Sequence, residues 1–223
     1  MDGLIQQHGA IMDRYDPEKK LALAVDEWGA WYAPATGSNP GFLQQQNSLR
    51  DGLLAALNLN IFARHAERVR IANIAQMVNV LQAMILTEEA RMLLTPTYQV
   101  FRMYVPFQNA RVLPLQIEAG TWSEANLTLP HVDAIAARAV DGRVLLAFSN
   151  LHPSREVKLD IAIDDAALRR VSPETLTVAK VDSVNTFDAP TTVTPKPLTA
   201  KLADGRLRVT LPARSVRVVG LGK

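Results

Sequence analysis

An α/β segment followed by an all-β segment is what this sequence predicts, on three observations. From residue 3 to residue 107 the apolar residues read in the order helix, strand, helix, strand, helix, the pattern of parallel βα units. From Arg111 onward the apolar period falls to two, with turn signals between the runs. Between two of those runs stands Asp141-Gly142, a two-residue hairpin turn. The expected boundary lies near Asn109, giving a segment 1–108 and a β-sandwich, jelly-roll-like, over 109–223.

The elements follow in order. Leu4, Ile5, His8, Ile11, Met12 and Tyr15 recur at helical spacing, and Asp16-Pro17 ends that helix. Leu21 to Trp28 is a short apolar run closed by Gly29, which reads as a buried strand. Alternation puts Leu21, Leu23, Val25 and Glu27 on one face, and Ala22, Ala24, Asp26 and Trp28 on the other. Glu27 then extends a core-facing row, where an ionised carboxylate is costly unless it sits at the strand end within reach of ligand or water. Catalytic carboxylates of parallel α/β barrels sit at such strand ends. A strand that merely ends in a solvated Asp26-Glu27 pair accounts for the same residues, and position alone does not decide between the two.

Gly29 to Asn47 is rich in Gly, Pro, Ser, Asn and Gln and reads as a long loop at the carboxyl end of that strand, a length more often functional than idle. Ser48 is placed as the N-cap of a helix over Leu49–Glu67, with Asp51 as the capping-box acid and Leu53, Leu54, Leu57, Ile61 and Phe62 on one face. Val69 to Ala75 is a second strand that delivers Gln76. Met77 to Leu86 is a further apolar piece, helical or extended, and Thr95-Pro96 opens a helix to about Tyr104. Strands are then expected over 112–119, 132–140, 143–150, 156–163, 175–181, 206–211 and 216–221. Two βα units cannot close a barrel, so the α/β part as it stands leaves strand edges unpaired.

Composition narrows the function. The 223 residues hold no cysteine, which removes disulfides and any thiolate ligand or nucleophile, and the four histidines lack ligand spacing, so no metal and no cofactor is expected. A formal charge of +2 gives no basic patch for nucleic acid. Neither a signal peptide nor a membrane-length apolar window is visible, so a soluble, cytoplasmic chain with no membrane partner is expected.

Five blocks carry a resemblance: Val25-Asp26-Glu27-Trp28-Gly29-Ala30-Trp31-Tyr32, His65-Ala66-Glu67-Arg68-Val69, the run from Ala72 to Val80, Leu94-Thr95-Pro96-Thr97-Tyr98, and Asn185-Thr186-Phe187-Asp188-Ala189-Pro190. In this order they resemble family 51 glycoside hydrolases, the α-L-arabinofuranosidases, over nearly the whole chain. The resemblance implies the last two βα units of a (β/α)8 barrel followed by a β-sandwich, with Glu27 as the nucleophile of a retaining hydrolase. Gln76 matches a residue that hydrogen-bonds the arabinofuranose, and Trp28 and Trp31 fall where aromatic residues shape the pocket wall. The family's acid/base Glu follows an Asn, and no Asn here is followed by Glu. The expected partners are therefore an arabinofuranosyl oligosaccharide and either an N-terminal barrel segment or further copies of the chain, and the isolated chain is expected to be inactive. The competing class is a non-catalytic β-sandwich, for assembly or carbohydrate binding, with a barrel remnant. Without the resemblance, Asp26 reads as an ion-pair partner, Gln76 as a satisfier of buried backbone groups, His65 as a helix-end cation and Trp122 as packing.

Overall fold

The computed structural model describes residues 1–165 and 167–223. Helix α1 (Asp2–Tyr15) leads to β1 (Leu23–Trp28), helix α2 (Leu49–Arg64) and β2 (Val69–Ile74). A hairpin of β3 (Ile85–Glu88) and β4 (Arg91–Leu94) precedes α3 (Pro96–Tyr104). Then come β5 (Arg111–Leu113), the hairpin β6 (Thr121–Glu124) and β7 (Leu127–Pro130), and β8 (Val132–Arg138) with β9 (Val144–Asn150). The chain ends with β10 (Val157–Ala162), β11 (Arg170–Leu176), β12 (Ala200–Ala203), β13 (Arg206–Leu211) and β14 (Ser215–Gly222).

Five strands in the order β11-β14-β9-β8-β5 form one antiparallel sheet, and β10-β13-β12 form a second. The five-stranded sheet is covered on both faces. Ile135, Ala147, Leu176, Val216 and Val218 turn toward Leu49, Leu53, Phe62, Val100 and Met103 of α2 and α3. Their neighbours in the alternation, Val132, Ala136, Leu146, Phe148, Val219 and Leu221, meet Leu207, Val209 and Leu211 of the other sheet. All seven residues of β9 are buried, as a strand between two covers requires. The helix-side core thus crosses residue 109.

Polar groups tie the layers. The Tyr104 hydroxyl donates to Asn60 Oδ1 (2.8 Å), Asn60 Nδ2 donates to Asp133 Oδ2 (2.7 Å), and Arg64 pairs with the same carboxylate (3.0 Å). On the opposite side, the Asn150 side-chain amide donates to Arg155 O, Leu211 O and Pro212 O, and Arg217, 1% exposed, donates to Thr210 O, Leu198 O and Thr199 O at 2.7–2.8 Å. A guanidinium so buried is tolerated because three carbonyls accept from its two Nη groups, while its Nε–H is left without a partner among the described residues. Arg68, 2% exposed and just ahead of β2, binds Asp13 and Asp16 and so fastens α1 to the strand pair.

Several expected elements shift. The first strand begins at Leu23, because the Leu21 N–H is taken by Asp16 Oδ2 (2.8 Å) and its carbonyl by Arg68 Nη1 (2.8 Å). Met77 to Met84 forms neither helix nor strand; Asn79 and Leu81 have positive φ, and Met84 N and Ile85 N both reach back to Met77 O (3.0 Å). Pro114 stops β5 at Leu113, although Leu115, Ile117 and Ala119 keep packing alternately on the sandwich core. The strand expected over 175–181 lies at Arg170–Leu176, and its Pro173 is accommodated because β11 is an edge strand. The strands β3, β4, β6, β7 and β12 were not expected. The Thr95 cap, the helix over Pro96–Tyr104, the strand over 206–211 and the hairpin at Gly142 (φ 84°) are as read.

Two expectations follow. Arg217→Ala leaves three carbonyls without their donor and should lower the unfolding free energy by about 3 kcal/mol or more in urea denaturation, with Arg217→Lys recovering only part. His152 accepts the N–H groups of Ser154 (3.2 Å) and Arg155 (2.9 Å) at Nδ1, and burial, His131 and Arg155 push its pKa below the ordinary value of 6.5. The unfolded chain therefore binds this proton more readily than the native one, so His152 costs stability as the pH falls below that value. Urea midpoints at about pH 7.5 and about pH 5.5 should differ less in His152→Asn than in the natural sequence.

Candidate active site

β1 and β2 pair in parallel, with Leu23 opposite Val69, Val25 opposite Ala72 and Trp28 opposite Ile74. Parallel pairing brings both carboxyl ends to one side, so the loops 29–47 and 75–84 emerge together. Glu27 is the penultimate residue of β1, and Gln76 lies two residues beyond the end of β2. Both are exposed, and among the described residues Glu27 makes no hydrogen bond or ion pair. A solvated, unpaired carboxylate at a strand end is free to meet a ligand.

The face assignment of β1 is corrected. The register shifts between Val25 and Trp28, and this irregularity puts Trp28 on the same side as Leu23 and Val25, against α2 and α3. Trp28 is 4% exposed, edge-on to Phe62 (5.3 Å) and stacked on Phe101 (5.9 Å), contacts worth roughly 0.5–1.5 kcal/mol each beyond their buried area. The indole expected at an open pocket wall is therefore a core anchor for the end of β1. Glu27 is exposed and does not continue a buried row, and Asp26, expected to be ion-paired, has no such partner among the described residues. Trp31 is 69% exposed.

The far side of the strand pair is open. Ala24, Asp26, Ile71 and Asn73 are exposed on it, and among the described residues neither outer edge of the two-stranded sheet is paired. The loops above are locked together: Ala75 N–H donates to Trp28 O (2.8 Å), Leu81 N–H to Leu43 O (3.0 Å), and a Cβ on Gly29 would stand 3.2 Å from Ala75 O. Below them the Ser48–Asp51 capping box starts α2 as expected, with Ser48 N–H on Asp51 Oδ2 at 2.8 Å. Burial pushes the Asp51 carboxyl up, against the opposing hydrogen bond from Ser48.

Sequence reasoning missed three contributors. Gln45 and Gln82, 3% and 0% exposed, bind the backbone of Ala30 from either side. Gln82 interrupts an apolar run, the one local sign that its amide is used inside. Asn185 donates to Leu94 O (2.9 Å) and Val193 O (3.1 Å), holding the 185–193 loop beside β4. That loop brings Phe187 to a recess of about 450 Å3 shared with Phe42, Gln44, Asn79 and Thr87 from the strand-end loops and β3. His65 caps α2 and meets Asp2 Oδ1 at 2.7 Å, a structural placement, while Trp122 lies 6.1 Å from the His152 ring. Among the described residues no group of three or more His, Cys, Asp or Glu is placed to hold a metal ion.

Residues 26–215 match the family described as the alpha-L-arabinofuranosidase C-terminal domain. An intracellular exo-alpha-L-arabinofuranosidase of Bacteroides ovatus is 40% identical over 218 residues, covering 97% of this chain and 42% of that protein. The crystal structure of a GH51 arabinofuranosidase from Xanthomonas axonopodis pv. citri superposes with a TM-score of 0.96 at 50% identity, over 100% of this chain and 45% of that one. AbfB, a family 51 alpha-L-arabinofuranosidase from Bifidobacterium longum, shares the fold with a TM-score of 0.85 at 24% identity, over 100% of this chain and 47% of that one. The chain thus spans less than half the length of these relatives.

Gly29 leaves too little room for a side chain. Gly29→Ala should cost about 1–3 kcal/mol of stability, read by urea denaturation, because its methyl group meets Ala75 O and Gln82 Oε1 at 3.2 and 3.3 Å.

Proposed function

The chain belongs to the α-L-arabinofuranosidase C-terminal domain family, and on that premise we propose that it is the C-terminal part of a retaining α-L-arabinofuranosidase acting on terminal arabinofuranosyl groups of arabinan or arabinoxylan oligosaccharides. The observation that carries this is the pairing of Glu27 and Gln76 at the carboxyl ends of two parallel strands whose other face and edges are open. A lone parallel pair is not a stable sheet in water, so β1 and β2 read as the last two strands of a barrel completed by a segment outside these 223 residues. Several copies of the chain associating through the same edges is the other way to cover them.

In this reading Glu27 attacks the anomeric carbon as the leaving oxygen departs, forming a glycosyl-enzyme ester that water later hydrolyses. Gln76 hydrogen-bonds the sugar, and Trp31 offers an exposed indole beside it. Trp28 acts from behind, by fixing the end of β1 in the core. The second carboxyl group of a retaining pair stands about 5–5.5 Å from the first, protonates the leaving oxygen and then activates water. Asp26, the adjacent acid in sequence, belongs to the open face of the strand pair, and the acid/base is assigned to the completing segment. A soluble, cytoplasmic setting accords with the intracellular relatives. Segments 1–108 and 109–223 are then a barrel part and a sandwich, joined by the helix-side core.

The test is reconstitution. Alone, the chain should show no turnover of 4-nitrophenyl α-L-arabinofuranoside, since loss of a positioned acid costs about 10²- to 10⁴-fold and much of the pocket is absent with it. Co-expressed with the N-terminal barrel segment of a relative, it should turn the glycoside over and take a mechanism-based arabinofuranosyl label at Glu27. Glu27→Gln should abolish labelling with the melting temperature unchanged. Labelling at Asp26, or activity retained in Glu27→Gln, would contradict the assignment.

A further inference from the structure

We infer that Gln45 and Gln82 are positioning residues that aim Trp31 and set the spacing between the Glu27 and Gln76 strand ends; this rests on the functional reading above. The segment after β1 is held through its backbone. Ala30 N–H donates to Gln82 Oε1 (2.8 Å), Ala30 O accepts from Gln45 Nε2 (3.0 Å), and Tyr32 N–H donates to Gln45 Oε1 (2.8 Å). Gln82 passes the constraint on, since its Nε2 donates to Asp51 O (2.9 Å) in the first turn of α2. On the far side of Trp31 the Tyr32 ring lies under the Arg50 guanidinium, 3.6 Å from the ring centroid. Trp31 itself makes no hydrogen bond or ring contact among the described residues. The direction in which its Cα–Cβ bond leaves the loop is set by the two residues that flank it.

The chemistry requires amides. Each glutamine donates with one end and accepts with the other, so a carboxylate, an amine or a hydroxyl of similar reach can satisfy only half of what is bound. Burial strengthens the demand, because water cannot replace either partner and a bond in dry surroundings holds its geometry more firmly. Gln45 comes from the β1 loop and Gln82 from the β2 loop, and both converge on Ala30. Gly29 is wedged between Gln82 Oε1 and Ala75 O, the carbonyl just before Gln76. Removing either amide therefore releases the backbone that carries the indole, and removing Gln82 also loosens the distance between the Glu27 and Gln76 strand ends. Reaction rates respond steeply to such displacements, by about 10²-fold per ångström of misplacement.

The test uses the 223-residue chain with 5-fluorotryptophan at Trp28, Trp31 and Trp122, the resonances being assigned with Trp31→Phe and Trp122→Phe. In the natural sequence Trp31 should give one narrow fluorine line. Gln82→Met and Gln45→Met, which keep length and remove the hydrogen bonds, should each broaden or split that line while the Trp122 line stays in place. Gln82→Glu retains the acceptor for Ala30 N–H but loses the donor to Asp51 O, so it should recover only part of the original line. An unchanged Trp31 line in both Met variants would overturn the inference, as would parallel changes at Trp31 and Trp122, which signal general loosening. No sugar is needed, so a failure to label Glu27 counts against the functional reading and leaves this outcome standing.

Discussion

The structure depends on a sheet that must be covered twice. In β8, β9 and β14 successive side chains point to opposite faces, and both sets are apolar: Ile135, Ala147, Val216 and Val218 on one side, Val132, Leu146, Phe148, Val219 and Leu221 on the other. The three-stranded sheet answers the second set, and α2 and α3 answer the first. The helices are therefore part of the fold of the β half, and the Tyr104–Asn60–Asp133–Arg64 network fixes their register on it. A network of that kind, buried at Tyr104 and Asn60 and open at Arg64, holds position well when its buried members are satisfied, as these are.

The same core reaches the candidate site. α2 lies on the sheet through Leu49 and Leu53 and on the strand pair through Phe62, which meets Trp28 edge-on. Asp51, in the first turn of that helix, gives its carbonyl to Gln82 and its carboxylate to the Ser48 cap. The loops bearing Gln76 and Trp31 are thus referenced to the β-sandwich through one helix. What remains exposed is the opposite face of β1 and β2, with Ile71 53% accessible. Position is supplied from behind the strands, and the proposed site lies at their open carboxyl ends.

Legibility in the sequence followed how local each cause was. The Thr95 cap with Pro96, the Ser48–Asp51 box and the Gly142 turn are settled within a few residues and were readable. β3, β4, β6 and β7 are four-residue strands with mostly exposed side chains, too short to show a period. Simple alternation puts Trp28 on the wrong side because a register shift between Val25 and Trp28 reverses it, and nothing in Asp26-Glu27 announces that shift. Glu27 and Gln76 are proposed on the resemblance of their blocks; periodicity alone leaves Glu27 between a site and a solvated strand end. Gln45 carries no local sign and Gln82 only its interruption of an apolar run, because a loop glutamine shows its burial only when both loops are in place.

The central claim is that α2, α3 and the five-stranded sheet stand or fall as one unit that carries the strand pair on its outer side. Native-state hydrogen exchange of the chain in increasing denaturant tests it most directly, since it assigns an opening free energy to each amide. The account predicts that amides in the middle of α2, in α3 and in β9 and β14 merge into one global isotherm, while those on the outer edges of β1 and β2 exchange by smaller openings. Release of α2 and α3 well before β9 and β14 would contradict it, because the helix-side face of the sheet would then stay folded without its cover.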